Sequence, residues 1–121
     1  LKRMCYEDLR EYCLSLKGVT ECFPFDEFSL VFKVQGKMFA LLPLDNPETQ
    51  IALKCDPERA LQLREQFEAI TPAYHFNKKH WNSVFVHPAI SKNFMFELIR
   101  HSYDLVVQGL PKKLKEALQN I

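Results

Sequence analysis

The sequence predicts an α+β fold, an antiparallel sheet packed against helices, and three observations predict it. Two strand-like runs, Ser29–Val34 and Lys37–Leu44, are separated only by Gln35-Gly36, a tight-turn spacing in which Gly supplies a positive φ. A third run, Thr49–Lys54, follows the turn Asp45-Asn46-Pro47-Glu48, so the strands read as a meander. The helical periodicities precede and follow that meander instead of alternating with its strands, which places helices on one face of an antiparallel sheet.

Each element has a local reason. From Met4 to Leu16, helical spacing puts Cys5, Leu9, Tyr12, Cys13 and Leu16 on one face, and Gly18 suits the C-terminal cap. In Ser29–Val34, Leu30, Phe32 and Val34 alternate with Val31 and Lys33, the period of a strand with one well-buried face. Thr49–Lys54 places Ile51 and Leu53 on one face and Lys54 on the other. Asp56-Pro57-Glu58 opens a helix: Asp accepts free N–H groups, Pro is pre-set for the first helical position, and Glu favours the positive end of the dipole. That helix runs to about Phe67 and buries Ala60, Leu63 and Phe67. Pro72 breaks the chain, and Val84–Val86 is a short strand-like run. Ser91 caps the next helix, with Ile90 stapling onto Met95 and a stripe of Met95, Leu98, Ile99, Ser102, Leu105 and Val106. Pro111 opens a last short helix with Leu114 and Leu118 inward. The expected order is helix, three strands, helix, short strand, two helices.

At 121 residues, 47% hydrophobic and 26% charged, the chain has the size and composition of one globular domain spanning 1–121. No apolar run approaches membrane-spanning length, and no charged-then-apolar leader precedes a small-residue cleavage site. Cys5, Cys13, Cys22 and Cys55 lack the paired spacing of zinc sites and read as reduced thiols. The expected compartment is the cytoplasm. Net charge is +1, but it is uneven. Residues 1–76 carry nine Lys/Arg against twelve Asp/Glu, and residues 77–121 carry seven against three. Such asymmetry can produce a bipolar surface.

The basic excess begins inside the most unusual segment, Tyr74-His75-Phe76-Asn77-Lys78-Lys79-His80-Trp81-Asn82-Ser83-Val84-Phe85-Val86. Amides, cations and rings are mixed here as neither a core strand nor an ordinary solvated loop mixes them. Asn77-Lys78-Lys79-His80-Trp81-Asn82 resembles the signature of the YjbR/MmcQ-like family of small bacterial proteins. Gly36-Lys37-Met38-Phe39-Ala40 resembles that family's first hairpin, and Leu53-Lys54-Cys55-Asp56-Pro57-Glu58 its entry into the middle helix. Ser102-Tyr103-Asp104-Leu105-Val106 with Leu110-Pro111-Lys112-Lys113 resembles its C-terminal helices. The resemblance implies a CyaY-like (frataxin-like) fold and a DNA-binding role. It carries over Asn77, Lys78, Lys79, His80, Trp81 and Asn82 as site residues, with Lys54 as a weaker member.

The residues are compatible with that role. Lys78 and Lys79 can neutralise phosphates, Trp81 and His80 offer rings for stacking, and Asn77 and Asn82 suit base edges or sugar–phosphate oxygens. Lys33 and Lys37 flank the hairpin turn like a wing, and Lys112, Lys113 and Lys115 add positive potential if the last helix lies nearby. The same residues also have a purely structural reading, in which Trp81 roofs the core, the asparagines cap turns and the lysines are solvated. A second functional reading is a protein- or small-ligand-binding module in which Trp81 anchors in a partner's pocket.

Other chemistries fit less well. His75, His80 and His87 do not match a compact zinc spacing. Frataxin-like proteins hold iron on an acidic first helix, and Glu7, Asp8 and Glu11 lie on the first helix here. Lys2, Arg3 and Arg10 share that segment, which favours a solvated face. Gly18, Gly36 and Gly109 are the only glycines, too few for a phosphate-binding loop, and neither a nucleophile elbow nor an H-E-x-x-H pair appears. No enzyme activity, metal or cofactor is expected. Tyr103 and Asp104 read as ties between the C-terminal helices and the sheet, with the Asp104 carboxylate accepting from a ring N–H in the motif.

Overall fold

A computed structural model describes residues 3–121; Lys2 lies outside them. Within the described residues the order is α1 (Tyr6–Ser15), β1 (Val19–Cys22), β2 (Ser29–Val34), β3 (Lys37–Pro43), β4 (Gln50–Lys54), α2 (Pro57–Gln66), β5 (Ile70–Pro72), β6 (Trp81–Phe85), α3 (Lys92–Gln108) and α4 (Lys112–Gln119). The strands form one antiparallel sheet in the order β1-β2-β3-β4-β6-β5. The α+β expectation holds, with β1 and β5 added to the strands that periodicity shows.

The β2–β3 hairpin turns on Gln35 and Gly36, both at positive φ (50° and 77°), the backbone that matches the twist of a two-residue hairpin. Gly18, also at positive φ (73°), lets the chain leave α1 and enter β1 at once. β1 has no apolar alternation to announce it. It is held by pairing along β2, from Val19 opposite Val34 to Cys22 opposite Val31. β5 is three residues long, lies at the sheet's other edge and ends in Pro72, where a missing N–H does no harm. Pro72 therefore finishes a strand instead of merely breaking the chain.

The helix starts follow the cap residues. Asp56 accepts the Arg59 N–H (3.2 Å) ahead of Pro57, and Ser91 accepts the Phe94 N–H (3.0 Å). Asp8 accepts the Cys5 N–H (2.9 Å) at the start of α1.

α3 packs across β2, β3 and β4, α1 against β1 and α3, and α2 against β5. The main core lies between these helices and the sheet, built on Leu9, Phe32, Phe39, Ile51, Met95 and Ile99. A register shift in the β2–β3 pairing leaves Phe39 without an opposite residue on β2, between Ala40 opposite Phe32 and Met38 opposite Lys33. The buried Ser102 of α3 donates its hydroxyl to the Phe39 carbonyl (2.6 Å) and accepts the Lys54 N–H (2.9 Å).

Tyr103, not Leu105, completes the buried stripe of α3. Its hydroxyl donates to the Lys17 carbonyl at 2.6 Å and its ring meets Phe39 edge-on at 5.5 Å, so it does tie α3 to the rest of the fold. Asp104 corrects the expectation made for it. Its carboxylate accepts from Arg100 Nε (3.1 Å), one turn earlier on the same helix.

Among the described residues no helix is long and apolar enough to cross a membrane.

Candidate functional site

β4 and β6 run side by side with Lys54 opposite Trp81 and Leu53 opposite Asn82. β6 thus begins at Trp81, earlier than the expected Val84, and the motif is split. Trp81 and Asn82 belong to the sheet, whereas residues 73–80 form the connection from β5. Strand alternation sends Trp81 to the face away from the helices and Asn82 into the helical side.

Both side chains are committed to the fold. Trp81 is 9% exposed, packs with Ala52 and Ala73, and stacks on Phe76 at 4.8 Å between ring centres. Asn82 is 2% exposed; its Oδ1 accepts from Arg64 Nε at 2.6 Å and its amide donates to the Ala60 carbonyl at 3.4 Å. Neither presents a free ring or amide, so the expected stacking role of Trp81 and base-edge role of Asn82 are replaced by packing and bonding. At 9% exposure Trp81 takes the core-roofing place of the structural reading.

The loop itself is shaped by backbone chemistry. Asn77 accepts the Lys79 N–H through Oδ1 (3.0 Å), and its carbonyl accepts from His80 and Trp81 (3.0 Å each), closing one tight turn. The His80 carbonyl accepts the Cys55 N–H at 2.7 Å, fixing the loop to the end of β4. Arg64 holds it from α2. Beyond Asn82, its guanidinium donates to the carbonyls of Lys78 and Trp81. Within this frame Asn77, Lys78 and Lys79 are exposed and His80 is half-buried. The Lys78 ammonium lies 5.0 Å from the centre of the Tyr74 ring, a cation–π contact.

Topology decides what shares this end of the sheet. The β2–β3 turn, the last residues of β4 and the β5–β6 loop all lie at one end, because neighbouring strands alternate in direction. Lys33, Lys37, Lys54, Lys78 and Lys79 therefore gather there, and among the described residues none of them makes an ion pair. Asp56 and Glu58 open α2 at the same end, with Asp56 occupied as the cap. The opposite end carries the loops holding Asp26, Glu27, Asp45 and Glu48, and the first turn of α1 with Glu7 and Asp8. Tyr6 seats α1 there by donating to the Pro43 carbonyl at 2.8 Å. Most of the charge at the two ends thus differs in sign, although Arg3 lines a cleft beside Glu48 at the acidic end. Lys33, Lys37 and Lys54, from the acidic part of the sequence, join the basic end.

Between the two ends, the face of the sheet away from the helices holds a groove of about 760 Å³. Phe25, Tyr74, Phe76 and Phe85 line it over a floor that includes Ala52 and Ser83. Tyr74 and Phe25 are 68% and 65% exposed. Asp26 organises the Phe25 loop by accepting the Phe28 and Ser29 N–H groups (2.8 and 2.6 Å), and those bonds hold its carboxyl below the usual range. Sequence reasoning missed this groove and Arg64. The signals were present: a run of phenylalanines at 23, 25 and 28, Ser83 and Phe85 alternating on from Trp81, and Arg64 one turn after Ala60 beside the buried Leu63.

Behind the loop, His101 accepts the Asp56 N–H through Nε2 at 3.3 Å. Burial, followed by repulsion from Arg59, lowers its pKa. Cys55 alongside is raised chiefly by burial.

A family model described as YjbR matches residues 14–105. The uncharacterised protein YbdF of Escherichia coli O157:H7 is 38% identical over 112 residues, covering 93% of this chain and 92% of that one. The uncharacterised protein YjbR of Escherichia coli K12 is 28% identical over 115 residues, covering 95% and 98%. A crystal structure of a Deinococcus radiodurans protein with a DUF419 domain superposes with a TM-score of 0.89 at 37% identity, covering 97% of this chain and 89% of that one. The family match takes in most of the sequence, including all six strands and the motif loop, and the chain belongs to the YjbR family.

Proposed function

We propose that this chain is a non-enzymatic, cytoplasmic nucleic-acid-binding protein that contacts DNA phosphates through the lysine-bearing end of its sheet. The observation that carries the reading is the gathering of Lys37, Lys54, Lys78 and Lys79 at that end, without ion-pair partners among the described residues. A chain of net charge +1 has no general attraction to a polyanion. Lysines collected at one end, with carboxylates collected at the other, give it a local one. The turn centred on Asn77 and the Arg64 clamp add preorganisation, because the cationic loop is set before a ligand arrives.

The roles within the motif shift accordingly. Lys78, Lys79 and Lys54 carry phosphate contact, with Lys37 from the hairpin beside them. Asn77 shapes the loop, His80 borders it, and Trp81 and Asn82 support it from within the sheet.

Fluorescence anisotropy of labelled DNA tests this reading, comparing the wild type with a Lys78→Glu/Lys79→Glu double variant. Neutralising about four phosphates weakens binding by about 100-fold between 50 and 200 mM salt. Micromolar binding with that salt response, lost in the variant, is the expected result. A folded wild type that leaves DNA free at low salt overturns it.

A further inference from the structure

We propose that the groove on the open face of the sheet receives an unpaired nucleic-acid strand, so that this protein selects single-stranded over duplex DNA. The inference rests on the phosphate-binding reading above and names its substrate class.

Three features point to an unpaired strand. The first is Tyr74 and Phe25, two large rings 68% and 65% exposed at the groove. With Phe76 and Phe85 they line one groove, and a cluster of rings on an open face, unlike a lone exposed ring, marks a contact surface. The stacked faces of a duplex are closed to such rings, whereas the bases of an unpaired strand offer theirs. The second is the groove floor. The Gln50 amide and the Thr71 and Ser83 hydroxyls line it and make no hydrogen bond among the described residues. They are donors and acceptors suited to the Watson–Crick edges of bases, which pairing occupies in a duplex and an unpaired strand leaves open.

The third is the continuity of the groove with the basic end. Tyr74 lines the groove and also lies under the Lys78 ammonium at 5.0 Å. A base stacked on Tyr74 would therefore place its own backbone beside Lys78 and Lys79. Asp26 and Asp45 line the groove as well, in the loops of the acidic end. Their charge repels a backbone, so the phosphates keep toward the lysine end and it is a base edge or ring, not a phosphate, that reaches Phe25 beside Asp26. A volume of about 760 Å³ accommodates a short stretch and not an extended polymer.

The test uses the full chain with labelled oligo(dT), oligo(dC) and a mixed-sequence duplex of equal length. Each is titrated against the wild type, a Phe25→Ser/Tyr74→Ser variant and the Lys78→Glu/Lys79→Glu variant. Both aromatic positions are largely exposed, so the first variant keeps its core; circular dichroism and urea unfolding check that it does. Trp81, the only tryptophan, stacks on the groove residue Phe76 and serves as a second readout through its emission.

The wild type is expected to bind single strands at least tenfold more tightly than duplex and to change its Trp81 emission on doing so. Loss of the two rings weakens single-strand binding about tenfold or more and leaves duplex binding within twofold. The lysine variant weakens both. Equal binding of duplex and single strand, or single-strand binding unchanged by Phe25→Ser/Tyr74→Ser, overturns the groove while leaving the lysine reading intact. Absence of binding to every probe at low salt overturns both. Self-association of the wild type that is abolished by the aromatic substitutions also overturns the proposal, and makes the groove a contact with a second copy.

Discussion

Arg64 of α2 reaches the buried Asn82 of β6 with its Nε at 2.6 Å from Oδ1, and from the same guanidinium it also holds the carbonyls of Lys78 and Trp81. One planar side chain thus joins a helix, a strand and the motif loop. Asn82→Ala leaves the Arg64 charge and the Ala60 carbonyl each short of a partner, and is expected to cost about 2–3 kcal/mol in urea unfolding. Arg64→Lys keeps the charge but not the planar fork. It is expected to speed amide exchange in residues 77–80 more than it lowers global stability, as hydrogen-exchange mass spectrometry would report.

Ser102 is the second buried polar group that crosses between layers. Ser102→Ala strands the Phe39 carbonyl and the Lys54 N–H together. The expected loss is about 1–3 kcal/mol, measured by urea unfolding. Ser102→Cys, with a longer bond and a weaker donor, should fall between the two. A Ser102→Ala protein as stable as the wild type would show that water takes over both bonds.

The gathering of lysines makes a prediction about distance. Lys37→Glu, in the hairpin, should weaken DNA binding about as much as Lys79→Glu, in the motif, although they stand 42 residues apart. Glu48→Gln, at the far end of the strands, should change it by less than twofold at physiological salt, because screening is strong beyond about 8 Å. Anisotropy titrations of the three variants check the pattern. A strong Glu48→Gln effect would argue for binding driven by net charge.

His101 gives a pH dependence. Burial first, and then Arg59, holds its folded-state pKa below the ordinary value of 6.5. The unfolded chain therefore takes up this proton before the folded one does. Its contribution to stability is intact above about pH 6.5 and is lost as pH falls through the folded-state value. Wild-type urea midpoints should drop from pH 7.5 to 5.5 by more than those of His101→Gln. Glu21 and Asp26, both lowered below their ordinary carboxylate values of 4.5 and 3.8, contribute only at more acid pH.

The four thiols should divide by burial. Cys5 is exposed and Cys22 half-exposed, whereas Cys13 and Cys55 are buried. Desolvation pushes the Cys13 thiol up to about 12, so almost no thiolate exists at neutral pH. Titration with a thiol reagent under native conditions should label Cys5 fast and Cys22 next. Cys13 and Cys55 should react only as the chain unfolds.

Much of this fold was legible in the sequence because its signals are local. Gln35-Gly36, Asp56-Pro57 and Ser91 mark turns and caps with residues whose chemistry allows little else, and the structure places them where expected. β1 and β5 were not legible. Val19–Cys22 and Ile70–Pro72 become strands by pairing with β2 and β6, while their own few residues carry no alternation that a short window could read. The motif was found, and of the two readings open for Trp81 and Asn82 it is the structural one that their burial fits. Trp81 and Asn82 look like recognition residues until β6 is seen to start at Trp81, after which alternation alone buries one on each face. Lys37 and Lys54 join Lys78 only through the sheet's strand order, and Arg64 only through the packing of α2.

The separation of charge along the strands has a kinetic consequence. A nearly neutral molecule with more lysines at one end and more carboxylates at the other carries an electric dipole directed along its sheet. In the field of a polyanion it rotates before it touches, so collisions occur mainly end-on. Association should thus be faster than random docking allows at low ionic strength and slow steeply as salt is added, while dissociation changes less. Lys37→Glu shortens that dipole as well as removing a contact, and should slow association more than it speeds dissociation at low salt.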